Sequence, residues 1–145
     1  MPVLKSTIDI AADPERVFEL VSDVRNEPIW NPDCLHVTLL GDGPIGLGRR
    51  YTAKWKGTPE LLVECVAHDA PTSWTNVSGG PLSIRTTFTV TPTPSGCRLS
   101  NVFEIQPHGL GHLMAPLFVR SIKRVTPVHL EAMKSWLESD EAKAV

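Results

Sequence analysis

The sequence of 145 residues lacks any apolar run of the roughly 18 residues that a membrane-spanning helix requires. Its first residues also lack the basic start and the apolar stretch of a signal peptide. Fourteen basic residues nearly balance sixteen acidic ones, and neither sign forms a long run. We therefore expect a cytoplasmic protein with no integral membrane segment, no nucleic-acid partner and no charge pattern that binds an anionic membrane.

Cysteine is scarce as well. Cys34, Cys65 and Cys97 are odd in number and widely spaced, which argues against both a disulfide framework and a zinc knuckle. We expect them to be small buried side chains. The length suits one hydrophobic core, so the sequence predicts a single domain over residues 1–145.

The order of the predicted elements is the most informative feature of the chain. Val3–Ile10 alternates as a strand, and Asp13-Pro14-Glu15 then supplies a helix cap, a first-turn proline and an acidic first turn. A second short helix or turn is predicted around Trp30. Short connections between the later strands favour antiparallel neighbours. Glycine- and proline-rich turns separate six further predicted strands at residues 36–40, 48–56, 60–69, 73–78, 82–91 and 96–106.

A long amphipathic helix is predicted from Leu110 to Glu138, and Pro127 in its interior is expected to bend it. Because such a helix is not stable alone in water, its apolar stripe must lie across the preceding sheet. The sequence thus predicts an α+β protein in which a sheet holds a helix. The residues of the stripe are Leu110, Leu113, Met114, Leu117, Phe118, Ser121, Ile122, Val125, Val128, His129, Ala132, Met133, Trp136 and Leu137.

The predicted hairpin at residues 82–106 places one polar rung on an otherwise apolar face. With a loop at residues 92–95, Thr91 pairs with Gly96 and Thr86 lies opposite Asn101. A slip of two residues would separate Thr86 from Asn101 but would leave both on that face. A buried amide without a partner costs about 1–3 kcal/mol, so we expect Asn101 to meet Thr86, a water molecule or a ligand.

A second hairpin, around Gly57, adds aromatic residues to the interior. Alternation places Tyr51, Trp55 and Ala67 inward and His68 outward. Aromatic residues, methionine and a few polar groups are typical of a cavity for a hydrophobic molecule, although the same side chains also suit simple core packing. The residues predicted to line this cavity are Trp30, Tyr51, Trp55, Thr86, Phe88, Asn101, Phe103, Met114, Phe118, Val125, His129 and Met133.

Two patterns that look like ligand motifs do not predict a site. Residues 41–46 satisfy Gly-x-Gly-x-x-Gly, but a strand rather than a helix follows them, so no nucleotide site is expected. His108 and His112 lie in a glycine-rich segment without a third ligand nearby, so no metal site is expected. His129 is either a general base or a satisfied interior histidine, because the sequence places no serine, cysteine or carboxylate beside it.

Several segments of the chain follow an order that is typical of one superfamily. After the first strand they are the capped helix at residues 13–18, Trp30 before a proline, Gly46-Leu47-Gly48-Arg49, Asp69-Ala70-Pro71 and the terminal Met133-Lys134-Ser135-Trp136-Leu137-Glu138. Together they resemble the polyketide cyclase/dehydrase-like branch of the START and Bet v 1 (SRPBCC) superfamily, and the resemblance extends over almost the whole chain. The resemblance implies a helix-grip fold, in which a curved antiparallel sheet of about seven strands wraps around a long C-terminal helix. It also implies two short helices after the first strand and an apolar cavity between sheet and helix.

Members of this superfamily include lipid carriers, hormone receptors and aromatic cyclases, so the fold leaves two functions open. The first is the binding of a small hydrophobic molecule, such as a lipid, a polyketide or an aromatic metabolite. It requires no cofactor and suits a monomer or a weak homodimer. The second is a cofactor-independent polyketide aromatase/cyclase or dehydratase acting in the same cavity. In that enzyme Asn101, Tyr51, Thr86 and His129 would position an enolisable substrate.

Overall fold

The computed structural model describes residues 2–143 and contains a seven-stranded antiparallel sheet. The order in the sheet is β1-β7-β6-β5-β4-β3-β2, so β1 pairs with the last strand and β2 forms the opposite edge. The later strands each pair with their neighbours in sequence, as the short turns predict. The strands are β1 (Val3–Ile10), β2 (Cys34–Leu40), β3 (Arg50–Trp55), β4 (Leu61–Asp69), β5 (Ser73–Ser78), β6 (Leu82–Thr93) and β7 (Gly96–Pro107).

α-Helices lie between β1 and β2 and again after β7. Asp13 caps the first helix as predicted, since its carboxylate accepts a hydrogen bond from the Arg16 backbone N–H at 3.1 Å. This helix buries Val17 and Phe18 in the main hydrophobic core. The arrangement is a helix-grip fold, which confirms the predicted fold class. The helices are α1 (Pro14–Ser22), α2 (Glu27–Trp30), α3 (Gly111–Leu137) and α4 (Asp140–Lys143).

The register of β6 and β7 differs from the predicted one by two residues. Thr93 pairs with Gly96, so the connecting loop shortens to two residues. Asn101 consequently lies opposite Phe88, and Thr86 lies opposite Phe103. The predicted rung of Thr86 and Asn101 is therefore wrong, although both residues keep the face that the sequence assigns to them.

Pro92 explains why β6 is longer than predicted. The Val90 N–H, two residues earlier, bonds to the Thr72 carbonyl on the β5 side of the strand. Pro92 faces the same side, beyond the end of β5, so its missing N–H removes no bond from the β6–β7 ladder. The strand thus continues through a proline that the sequence pattern assigns to a turn.

A bulge in β4 reverses the faces at the end of that strand. The pairing with β5 shifts by one residue between Cys65 and Ala67. Ala67 is exposed as a result, and the ring of His68 lies 5.2 Å from that of Phe18 in an edge contact. The prediction that Ala67 faces inward and His68 outward is wrong, because strict alternation does not anticipate the extra residue.

The long helix α3 matches its predicted bounds within one residue at each end and continues through Pro116 and Pro127. Its C-terminal half buries Met133, Trp136 and Leu137, as the stripe predicts. The prediction is wrong for Val128 of that half, which is exposed. The N-terminal half of α3 does not follow the stripe at its start. The predicted stripe is wrong at Leu110, Leu113, Met114 and Leu117, which are exposed. Later residues of the same half are partly buried, and they are Phe118, Ser121 and Ile122.

Glycine determines which face of α3 meets the sheet at its start. A Cβ atom on Gly111 would lie 1.9 Å from the Pro81 carbonyl oxygen, so only glycine fits this contact. The same carbonyl accepts a hydrogen bond from the His108 N–H at 2.8 Å. Gly111 and Ala115 are consequently buried, and the neighbouring leucines turn outward.

The buried apolar residues form two clusters. The larger combines α1, β1, β7 and the C-terminal half of α3 around Trp74, whose ring stacks on Phe88 at 4.9 Å. The smaller contains Val24, Tyr51, Ala53 and Val63. The three cysteines are free and buried, as expected.

Candidate functional site

The structure distributes the predicted cavity residues over three degrees of burial. Tyr51, Asn101 and Met133 are buried, and Met114 is half exposed near the start of α3. A completely filled core would leave residues of the central strands buried, yet Thr86, Phe88 and Phe103 keep accessible surface. The partly buried residues are Trp30, Trp55, Thr86, Phe88, Phe103, Phe118, Val125 and His129.

Asn101 is a buried polar residue whose side-chain oxygen is an unsatisfied hydrogen-bond acceptor within the described part of the chain. Its side chain is 2% exposed, and its Oδ1 has no hydrogen-bond partner among residues 2–143. On the sheet it lies between Ser6 of β1 and Phe88 of β6. An amide oxygen accepts hydrogen bonds, so the group that satisfies it must be a donor such as a hydroxyl. Leaving it unpaired costs about 1–3 kcal/mol.

Thr86 and Tyr51 stand at different distances from Asn101. Thr86 is a diagonal neighbour, about 7–8 Å away by sheet geometry, and it pairs with Asn76 on β5. Tyr51 lies four strands away, about 19 Å along the sheet at ~4.8 Å per strand. Burial raises the pKa of Tyr51 to about 12, so its phenol stays protonated at neutral pH. The predicted catalytic residues therefore do not converge on one point.

His129 has a partner that the sequence analysis missed. Its Nε2 lies 2.6 Å from Oδ2 of Asp33, a residue 96 positions earlier in the chain. The hydrogen bond from His129 holds the pKa of Asp33 below its usual value. The Asp33 backbone N–H in turn donates to Oδ1 of Asn31 at 2.9 Å. A histidine oriented by a carboxylate is a common arrangement of a general base.

Glu27, at the start of α2, lies beside this pair. Its Oε2 accepts hydrogen bonds from Trp55 Nε1 at 2.5 Å and from Asn31 Nδ2 at 3.0 Å. Desolvation raises the pKa of Glu27, although these two hydrogen bonds and the nearby His129 oppose the shift. The pKa values of two carboxyl groups in one cluster are thus shifted in opposite directions, toward the protonated form for Glu27 and toward the ionised form for Asp33. We call Glu27, Asn31, Asp33, Trp55 and His129 the acid–base cluster.

Cys34 lies near the same cluster but does not supply a nucleophile. Burial and the charge of Glu27 raise the pKa of its thiol to about 12, so the thiolate is rare at neutral pH. Sequence reasoning missed Glu27, Asn31 and Asp33 because they read as helix and turn residues. The sequence did contain a signal, because the acidic residues Glu27 and Asp33 lie on either side of Trp30 in the segment that joins β1 to β2.

Two open grooves are present in the described part of the structure. The larger has a volume of about 480 Å³ and lies between the ends of β1 and β7 and the first half of α3. The smaller, of about 180 Å³, lies between α1 and the end of α3. Neither is lined by a predicted cavity residue, so the internal cavity stays a prediction. The larger groove is lined by Pro2, Gln106, Pro107, His112, Ala115, Pro116 and Val119.

His108 and His112 do not form a metal site with other residues. His108 Nε2 lies 3.0 Å from Ser83 Oγ, and His112 is in the first turn of α3. Within residues 2–143 no group of three or more histidine, cysteine or acidic side chains is placed to hold a metal ion. In the same part of the chain, no helix is both long enough and apolar enough to cross a bilayer.

Comparison with known proteins identifies the family. The model of the family described as polyketide cyclase/dehydrase and lipid transport matches residues 1–138. No curated protein matches the chain. Among solved structures, Ara h 8.0201 is similar, with 13% identity and a TM-score of 0.72 over 94% of this chain and 97% of that one. A protein from Thermobifida fusca has 22% identity and a TM-score of 0.71 over 92% and 91% of the two chains.

The di-domain ARO/CYC BexL, from the BE-7585A biosynthetic pathway, is also similar. It has 18% identity and a TM-score of 0.73, over 94% of this chain and 50% of that one. At these identities the shared property is the fold. The family match covers nearly all of the sequence, and the strand order and the long terminal helix agree with it. The chain belongs to the polyketide cyclase/dehydrase and lipid transport family.

Proposed function

We propose that this protein binds a small hydrophobic molecule that carries a hydrogen-bond donor, in the space between the sheet and α3. The observation that carries the proposal is the buried Oδ1 of Asn101, which has no partner among the described residues. A ligand hydroxyl would satisfy this acceptor, while Phe88 and Phe103 would contact the apolar part of the ligand. Lipids, polyketides and aromatic metabolites with a hydroxyl group all meet this description.

The energetics permit useful affinity. A ligand that buries about 300 Å² of apolar area gains roughly 7 kcal/mol at ~25 cal/mol/Å². That gain alone corresponds to a Kd of about 10 µM, and the costs of association weaken it, so we expect binding between micromolar and millimolar, with the hydrogen bond to Asn101 adding to the apolar term. Action without a cofactor and a cytoplasmic location stay predictions from the sequence.

The first experiment is native mass spectrometry of protein purified without detergent, followed by organic extraction of any bound compound. A stoichiometric hydrophobic compound with a hydroxyl group supports the proposal and names the class to assay. The affinities for 2-naphthol, which carries a hydroxyl group, and for naphthalene, which does not, then separate the contribution of the hydrogen bond to binding from that of apolar contact. Asn101→Leu should weaken 2-naphthol binding by about 2- to 12-fold, the value of one hydrogen bond, and leave naphthalene binding unchanged or stronger.

The matched control for this variant is Ser100→Ala. Ser100 is the neighbouring residue of β7 and points to the opposite face of the sheet, so its substitution should change neither affinity. Equal loss of both ligands in Asn101→Leu would contradict the proposed role of the amide. Binding of neither ligand, with no compound recovered by extraction, would contradict the proposed cavity.

A second function, that of a polyketide aromatase/cyclase or dehydratase, is favoured by the acid–base cluster. In a dehydration, His129 would take a proton from the carbon next to a carbonyl, and the electron pair of that bond would form the new double bond. The β-hydroxyl would leave as water with the proton of Glu27, and His129 would return its proton to Glu27. The similarity to an ARO/CYC protein also supports this candidate.

Conversion of an aromatic β-hydroxyketone to its enone, followed by ultraviolet absorbance, tests the second function. Asp33→Asn and His129→Gln should each lower the rate by about 10²- to 10⁴-fold while changing substrate affinity little. A protein that binds the ketone but shows no conversion is a binding protein. Unchanged rates in both variants would remove the acid–base cluster from the reaction.

A further inference from the structure

The outward face of α3 near its start presents a row of large apolar side chains to solvent. Leu110 and Leu113 are each 78% exposed, Leu117 is 73% exposed and Met114 is 51% exposed. Residues three and four apart lie on the same side of a helix, so the four side chains form one patch over two turns. We call these four residues the apolar ridge. Exposed apolar groups that are contiguous in this way mark an interaction surface.

Positive charge follows the apolar ridge along the same helix. Arg120, Lys123 and Arg124 are exposed, and none of them makes an ion pair with any residue in the described part of the chain. The sequence contains no aspartate or glutamate from Ile105 to Leu130. A net charge of −2 for the whole chain therefore conceals a segment that carries only positive charge. A search for long runs of basic residues misses it, because only Lys123 and Arg124 are consecutive and Arg120 lies about one helical turn earlier.

We propose that the apolar ridge and these three basic residues dock the protein on an anionic lipid membrane. Leucine and methionine would enter the boundary between head groups and acyl chains, and the cations would meet the lipid phosphates and carboxylates. The helix would lie on the membrane and not cross it. The proposal goes beyond ligand binding and does not depend on which molecule the interior holds.

The charges distinguish a membrane from a second copy of the chain. A two-fold dimer through the apolar ridge would bring the same patch of both copies together. If the two helices packed in parallel, Arg120, Lys123 and Arg124 of the two copies would repel each other, and in either direction α3 offers these cations no acidic partner before Glu131. An anionic bilayer supplies negative charge over the whole face without this repulsion.

The position of the helix start supports a stable docking surface. Gly111 is packed on the Pro81 carbonyl, and His108 bonds to the same oxygen, so the first turn of α3 is fixed to the loop between β5 and β6. The apolar ridge is thus presented by an ordered helix, which limits the conformational entropy that binding must overcome.

Sedimentation with phosphatidylcholine vesicles, with and without phosphatidylserine, tests the proposal. The wild-type protein should sediment with the phosphatidylserine vesicles and be released by salt, because exposed charges are screened. Substituting any one of Arg120, Lys123 and Arg124 by glutamine should weaken binding about fivefold. The double variant Leu113→Ser/Leu117→Ser should no longer sediment with the phosphatidylserine vesicles.

Two matched controls lie on other surfaces. Leu62→Ser removes an exposed leucine from β4, and Lys5→Gln removes an exposed cation from β1. Both should bind vesicles as the wild type does, and circular dichroism verifies that every variant is folded. Absence of wild-type binding to phosphatidylserine vesicles would overturn the proposal. So would a dimer in light scattering that Leu113→Ser/Leu117→Ser dissociates while vesicle binding is absent.

Discussion

Asn101 and Asn31 allow a direct test of whether an unpaired amide is present in the interior. Both side chains are 2% exposed, but Asn31 bonds to Glu27 and to the Asp33 backbone N–H, whereas Oδ1 of Asn101 has no partner among residues 2–143. Replacing Asn101 by leucine, which is similar in volume, removes a buried acceptor that has no partner among the described residues. The gain equals the cost of that acceptor, about 1–3 kcal/mol in the free energy of unfolding.

For a domain of this size, such a gain raises Tm by about 3–10 °C. Asn31→Leu should have the opposite effect and lower the free energy of unfolding by about 2–4 kcal/mol, because it leaves Glu27 and a backbone N–H without a partner. Urea unfolding followed by circular dichroism measures both values, on protein shown by native mass spectrometry to be free of ligand. A loss of more than about 1 kcal/mol in Asn101→Leu would refute the reasoning. It would mean that the native amide is already satisfied.

Three further substitutions test individual contacts. Gly111→Ala should lower the free energy of unfolding by about 1–3 kcal/mol, because the new Cβ would meet the Pro81 carbonyl, even though alanine has the better helix propensity. The control Gly79→Ala should change the free energy of unfolding little, since Gly79 has open space around it. Asp33→Asn should reduce stability at neutral pH. The ionised Asp33 carboxylate stabilises the folded protein because its folded pKa is lowered. This stabilisation is present above about pH 4 and is lost as the pH falls through the folded pKa. Urea unfolding over a pH series should therefore show the free energies of unfolding of the two proteins converging in acid. Glu27→Gln should increase stability at pH 7 and match the wild type near pH 4, because burial raises the native pKa and penalises the ionised form.

Much of the fold follows from patterns within short segments of the sequence. The cap at Asp13, the turns between strands and the length of α3 all depend on residues that are close in the chain. The errors occur where a distant contact overrides the local pattern. Gly111 turns the first half of α3 by packing on Pro81, and β6 continues through Pro92 because β5 ends before it and leaves that side of the strand unpaired. Neither partner is visible from periodicity alone.

The candidate site was less predictable for the same reason. Asn101 could be placed inside because strand alternation survives a shift of two residues. The pairing of His129 with Asp33 joins α3 to the segment before β2, and no spacing in the sequence encodes that contact. Tyr51 shares a face with Asn101, but the number of strands between them separates the two residues. The face of the sheet on which a residue lies can thus be predicted from the sequence, whereas the distance between two residues on that face requires the strand order.

The pairing of β1 with β7 has a consequence for how the chain folds during synthesis. Ile10 pairs with Cys97, so the first strand finds its only partner strand after nearly all of the sheet has been translated. At about 5–20 residues per second, the ribosome needs roughly 4–17 s to make the intervening segment. The apolar residues of α1 remain uncovered during the same interval, because β7 contributes much of the core that covers them. Nascent chains that end before β7 therefore expose an unpaired edge and an incomplete core, the two features that make folding intermediates prone to aggregation.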